Sequence, residues 1–171
     1  MLDIYKLGDS VLREKCEKIT EFDNSLRMLE DAMYETMAEA EGVGLAGPQV
    51  GVTKRIFVIE IPSEGIKKTF VNPQIIETSV ETVTNPEGCL SLPGLEHEVT
   101  RNAEVTVYAQ DTYGKPFTVK ASGLFARAIQ HENDHLNGVL YIDHLDESEK
   151  QHMEALYEKK QKARRKAARR R

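Results

Sequence analysis

Cysteine is scarce in this chain: Cys16 and Cys89 are the only two in 171 residues. A framework of several disulfides is excluded, and a reducing, cytoplasmic setting is the expected one. No apolar run approaches the length of a bilayer span, so no membrane association is expected. The opening residues Met1-Leu-Asp-Ile-Tyr-Lys6 lack the basic stretch and apolar core of a secretory signal. There is no internal repeat. Strand and helix patterns do not alternate either, which argues against a doubly wound parallel sheet and for an α+β fold. The architecture expected is antiparallel or mixed β-sheets packed around a central helix, with an N-terminal helix and a C-terminal helix besides. With 40% hydrophobic and 30% charged residues, the composition is that of an ordinary globular domain with one core.

The net charge of −5 conceals an asymmetry. Residues 159–171 carry nine of the 23 Lys and Arg and no acid, so residues 1–158 hold 14 basic against 28 acidic side chains. This divides the chain into a single acidic domain, 1–158, and a basic C-terminal tail, 159–171, read as a helix extension. A basic end on an acidic body suits contact with a polyanion. The bland alternative is a solvated, frayed terminus.

Leu26, Leu29, Met33 and Met37 recur at helical spacing and predict a helix from about Asn24 to Ala40, capped by Asp23 or Asn24. The β-branched run Arg55–Ile61 reads as a buried strand. Further strands are expected at Thr69–Val71, Gln74–Glu81, Glu98–Arg101, Glu104–Gln110 and Pro116–Ala121, the last two joined by a hairpin turn at Asp111–Gly114. A helix from Ser122, as cap, to Leu136 follows, and a third helix starts near Asp146. That last helix is amphipathic only through Met153, Leu156 and Tyr157 and is expected to leave the body beyond them.

The second helix carries His131-Glu-Asn-Asp-His135, an H-E-x-x-H pattern. Residues at i and i+4 stack on one helix face, so two imidazoles there can grip one metal ion, and Glu132 lies about 100° round from His131. Leu124, Ala128, His131 and His135 form one stripe and Phe125, Ile129, Glu132 and Leu136 its neighbour, so all three polar groups fall on the apolar side. Burial there pushes a carboxyl pKa upward, into the range useful to a general base. A catalytic metal site normally takes three protein ligands and one open position. Two residues compete for the third place: His144 downstream, and Cys89 upstream in the Gly/Pro-framed segment Glu87–Gly94. Cys89 could equally be a small buried hydrophobe, the usual fate of an isolated thiol. A third block, Gly42-Val-Gly-Leu-Ala-Gly-Pro-Gln-Val-Gly51, follows a helix and precedes a strand, the reverse of a phosphate loop. Gln49 within it offers an amide donor able to stabilise an oxyanion without ionising.

The three blocks Gly42–Gln49, Glu87–Ser91 and Gln130–His135, with the early Gly8–Arg13, together resemble the peptide deformylase family. The resemblance implies that Cys89, His131 and His135 hold a metal, with one position left for water. It implies that Glu132 moves the proton, and that Gln49 and the backbone N–H of Leu90 hold the oxyanion. The metal implied is Fe2+, with Zn2+, Ni2+ or Co2+ as possible substitutes. The implied reaction is hydrolysis of the N-formyl group from the initiator methionine of a nascent polypeptide. Val43, Gly44, Leu124 and Ala128 are the candidate wall of a pocket for the unbranched methionine side chain. Gly47 departs from the family's usual Ala, and Glu96 stands where many members place an Arg. Some members dock on the ribosome through a basic C-terminal helix, so 159–171 is the expected contact with ribosomal RNA. A monomer is expected. Two other functions compete: an H-E-x-x-H endopeptidase using His144, and a ribosome- or RNA-binding protein whose metal only staples the fold.

Overall fold

The computed structural model describes residues 1–171. Helix α1 (Asn24–Glu39) is capped by Asp23, whose carboxylate accepts the Leu26 N–H at 3.0 Å. It buries Leu26, Met33 and Met37. The strands that follow are β1 (Gly44–Ala46), β2 (Ile56–Ile61), β3 (Ile66–Thr78), β4 (Thr82–Cys89), β5 (Leu92–Asn102), β6 (Glu104–Gln110) and β7 (Pro116–Ser122). Helices α2 (Gly123–His135) and α3 (Glu147–Arg169) complete the chain. A five-stranded antiparallel sheet has the order β1-β2-β3-β6-β7, and β4 and β5 form a separate two-stranded sheet.

Strand β2 is buried on both faces, which explains its apolar run Ile56–Ile59. Ile56 and Val58 pack with Met33 and Met37 of α1. Phe57 and Ile59 point the other way and pack with Phe125, Ala128 and Ile129 of α2. Phe57 sits opposite Phe70 in the register, their rings stacked 4.8 Å apart. A third cluster joins the small sheet to α3 through Leu92, Val99, Tyr141, Ile142 and Met153.

Several expectations need correction. The two strands expected at Thr69–Val71 and Gln74–Glu81 are one strand, β3, because Asn72 adopts a positive φ of 51° and absorbs the irregularity. Its side chain compensates by bonding the Ile19 N–H and C=O, each at 2.8 Å. Strand β1 lies in the glycine-rich block that reads as a plain connection. Strand β4 contains Pro86 and Gly88, breakers that a two-stranded sheet tolerates because each strand has a free edge. Ser122 occupies the cap position of α2, but its side chain makes no capping bond. Helix α3 does not leave the body after Tyr157: Lys160 Nζ donates to the Gly94 carbonyl at 2.5 Å.

Candidate metal centre

Helix α2 lies against the large sheet with His131, Glu132 and His135 all buried. The β4–β5 turn brings Cys89 over this helix. Cys89 Sγ is 3.4 Å from His135 Nε2, and one ligand atom from each of Cys89, His131 and His135 falls within 4.8 Å of the others. Thiolate and imidazole sharing a tetrahedral ion sit about 3.5 Å apart, from metal–sulfur and metal–nitrogen bonds of about 2.3 and 2.0 Å. The donor chemistry and spacing therefore fit a metal. His144 stands outside this group: its Nε2 meets Asp134 Oδ2 at 2.8 Å.

Each ligand is oriented by neighbours. His131 Nδ1 lies 2.8 Å from Glu87 Oε1, so this nitrogen carries the proton and Nε2 is free as a ligand atom. Glu87 also accepts from Arg101 at 2.8 and 2.9 Å and from Arg127 at 2.6 Å. Burial alone would raise the Glu87 carboxyl, but the hydrogen bonds and charges of Arg101 and His131 outweigh it and hold it far below the usual range. Arg101 continues to Asp134 at 2.6 Å. Burial, reinforced by the His131 charge, lowers the His135 pKa well below that of a free imidazole, which favours the neutral form that binds metals.

Glu132 is buried among these braced groups. Desolvation pushes its carboxyl up to about 7, and Oε2 is buried with no hydrogen-bond partner. Gly44 permits this position, since a Cβ there would come within 2.5 Å of Glu132 Oε1. Gln49 is 1% exposed, and its Oε1 accepts the Ala46 N–H at 2.9 Å. That bond turns the amide NH2 toward Ser91 Oγ at 3.2 Å and Cys89 Sγ at 3.5 Å.

A cleft of about 470 Å³ opens beside these groups, lined among others by Val43, Gly44, Gln49, Leu90, Leu124, Ala128 and Glu132. Val43 and Leu124 stay 42% and 47% exposed, which suits residues that a ligand covers. Leu90 packs over Gly42, where any Cβ would meet its Cδ1 at 2.7 Å. Glu96 is exposed and pairs with Gly88 at the edge of the cleft. A side chain at Gly47 would clash with the Val52 carbonyl at 2.6 Å, so glycine permits a tight 47–54 turn. The sequence reading missed Glu87, Ser91, Arg101 and Arg127. A usable signal existed for Arg127: a charge one helical turn before His131 on the apolar side of α2.

The Cys-His-His donor set, the buried carboxyl beside it and the adjoining cleft define a metal-dependent hydrolase. The model of the polypeptide deformylase family matches residues 1–151. The chain is 48% identical to peptide deformylase 1 of Clostridium perfringens over 136 residues, 80% of this chain and 92% of that one. It is 42% identical to the peptide deformylase of Prochlorococcus marinus subsp. pastoris over 160 residues, 92% and 80% of the two chains. The fold superposes on the peptide deformylase of Legionella pneumophila with a TM-score of 0.91 and 38% identity, covering 96% of this chain and 97% of that one. On the Synechococcus elongatus peptide deformylase in complex with actinonin the TM-score is 0.87 at 40% identity, with 93% and 87% covered. The chain belongs to the polypeptide deformylase family, metal-dependent enzymes that remove the formyl group from nascent polypeptides. Neither the endopeptidase nor the purely RNA-binding function is favoured.

Proposed function

We propose that Cys89, His131 and His135 hold the catalytic metal and that Glu132, Gln49 and Leu90 carry out the remaining chemistry on an N-formylmethionyl polypeptide. The observation that carries this reading is the donor set within 4.8 Å beside a buried Glu132 whose Oε2 is unpartnered. A metal bound there supplies Lewis acidity, polarising the formyl carbonyl and acidifying water. Glu132, with a carboxyl pKa near the working range, takes a proton from the attacking water and returns it to the departing amine. The Gln49 amide, aimed by Ala46, and the Leu90 N–H stabilise the oxygen on which negative charge develops. Val43, Gly44, Leu124 and Ala128 receive the methionine side chain. A formyl carbon bears only hydrogen, so close walls reject larger acyl groups sterically.

Fe2+ is the metal assigned, with Zn2+, Ni2+ or Co2+ able to replace it. A mixed nitrogen–sulfur set does not by itself favour iron, so occupancy follows supply and oxygen. Residues 1–158 act as the catalytic domain and 159–171 as a basic extension toward ribosomal RNA. The enzyme works as a cytoplasmic monomer. The test is metal content and formate release measured on protein purified without oxygen, for the wild type and for Cys89→Ala and Glu132→Ala. Formate release by a metal-free protein, or by Glu132→Ala at the wild-type rate, sinks the assignment.

A further inference from the structure

The charge opposite His131 is held from two sides, and one side is the same helix. Arg127 and His131 are four residues apart on α2 and reach the two oxygens of one carboxylate. Arg127 meets Glu87 Oε2 at 2.6 Å, and His131 Nδ1 meets Oε1 at 2.8 Å. Glu87 lies on β4 two residues before Cys89. Arg127 also donates to the Val99 carbonyl of β5 at 2.8 Å and to the Val83 carbonyl of β4 at 2.7 Å. A single guanidinium, 8% exposed, thus ties the helix that carries two ligands to both strands of the hairpin that carries the third.

We propose that Arg127 is a positioning residue that sets the spacing between Cys89 and the His131–His135 pair, and with it metal retention. The inference rests on the ligand assignment of the preceding section. A planar fork suits this task because three acceptors on two strands fix both the distance and the rotation of the hairpin relative to α2. Arg101 cannot substitute. It sits on β5 and grips Glu87 from within the small sheet, so its two bonds hold the strands to each other, and it reaches α2 only through Asp134. Without Arg127, Glu87 stays linked to α2 through His131 and, by way of Arg101, through Asp134, but the Val83 and Val99 carbonyls lose their tie to the helix and the Cys89 end of the hairpin is freed to drift from His135.

The test uses Co2+-loaded protein and a competing chelator, with Arg127→Gln and Arg127→Lys beside the wild type. Arg127→Gln is expected to release Co2+ about ten-fold faster or more, the usual scale for groups supporting metal ligands. Arg127→Lys keeps the charge on Glu87 but not the fork, so it should release faster than wild type by a smaller factor. The thiolate-to-cobalt absorption band should weaken or shift in both. Should Arg127→Gln fail to fold, Arg127→Lys decides. Wild-type release rates and an unchanged band, accompanied only by a lower melting temperature of the metal-free protein, overturn the proposal and leave Arg127 a structural ion pair. Cys89→Ala is the control for the underlying assignment. A thiolate band that survives in it would refute the ligand set instead, whatever the Arg127 variants do.

Discussion

Cys89 Sγ and His135 Nε2 lie 3.4 Å apart although 46 positions separate them in the chain. Their closeness comes from folding the β4–β5 hairpin across α2, so each half of the donor set depends on how the other is braced.

Glu132→Gln removes the proton carrier and leaves the three ligands in place. Formate release should fall by about 10²–10⁴, the range attributed to general acid–base catalysis. Metal content, read by elemental analysis, should match the wild type. A variant that also loses its metal would assign Glu132 to holding the site.

Glu87→Ala leaves Arg101 and Arg127 buried without their shared counter-charge. Breaking a buried pair from one side costs about 3–5 kcal/mol, so urea denaturation should show a loss of that order. The variant should also yield its metal faster to chelators, because His131 Nδ1 loses its acceptor.

Gly44→Ala separates activity from stability. The new methyl would lie 2.5 Å from Glu132 Oε1, the far end of a flexible side chain that can turn aside. Thermal stability should drop by no more than about 1–3 kcal/mol, the usual scale for overpacking, while kcat falls more steeply. Equal activity of mutant and wild type would show that Glu132 tolerates displacement.

Asp143 should give the fold an acid-sensitive joint. Burial works to raise its carboxyl, but Arg13 at 2.5 Å, the Leu140 N–H at 2.8 Å and Lys150 at 3.0 Å outweigh this and hold it below the usual value. A folded-state pKa below the unfolded value of about 3.9 means this contribution is complete above that pH and is lost as pH falls through the folded value. Asp143→Asn should therefore be less stable than wild type at neutral pH, with the gap closing in acid. A constant gap in melting temperature from pH 7 to 3 would refute the linkage.

Removing residues 159–171 deletes nine positive charges and should weaken co-sedimentation with ribosomes, with a reduced salt dependence. The cut also deletes Lys160, whose ammonium holds the Gly94 carbonyl at the rim of the cleft. KM for short formyl peptides should shift modestly while kcat is kept. Unchanged ribosome binding would rule out the tail as a docking element.

Much of the fold was legible because periodicity is local. Leu26, Met33 and Met37 announce α1, Ile56–Ile61 announces a strand buried on both faces, and the Asp111–Gly114 turn announces the β6–β7 hairpin. What escaped was structure that contradicts local preference. β1 is a glycine-flanked strand held by pairing with β2, β4 carries Pro86 and Gly88, and β3 passes through Asn72 at positive φ. In each case tertiary hydrogen bonds offset an unfavourable residue.

The candidate site divides in the same way. The sequence alone determined that His131, Glu132 and His135 share the apolar side of one helix, since a 3.6-residue period leaves them nowhere else to point. It could not choose between Cys89 and His144 for the third place on chemistry alone, nor reveal that Arg127 and His131 hold one carboxylate between them. Those facts are distances between segments, and packing decides them: the small sheet closes over α2 with Cys89 facing the imidazoles, while Asp134 draws His144 aside.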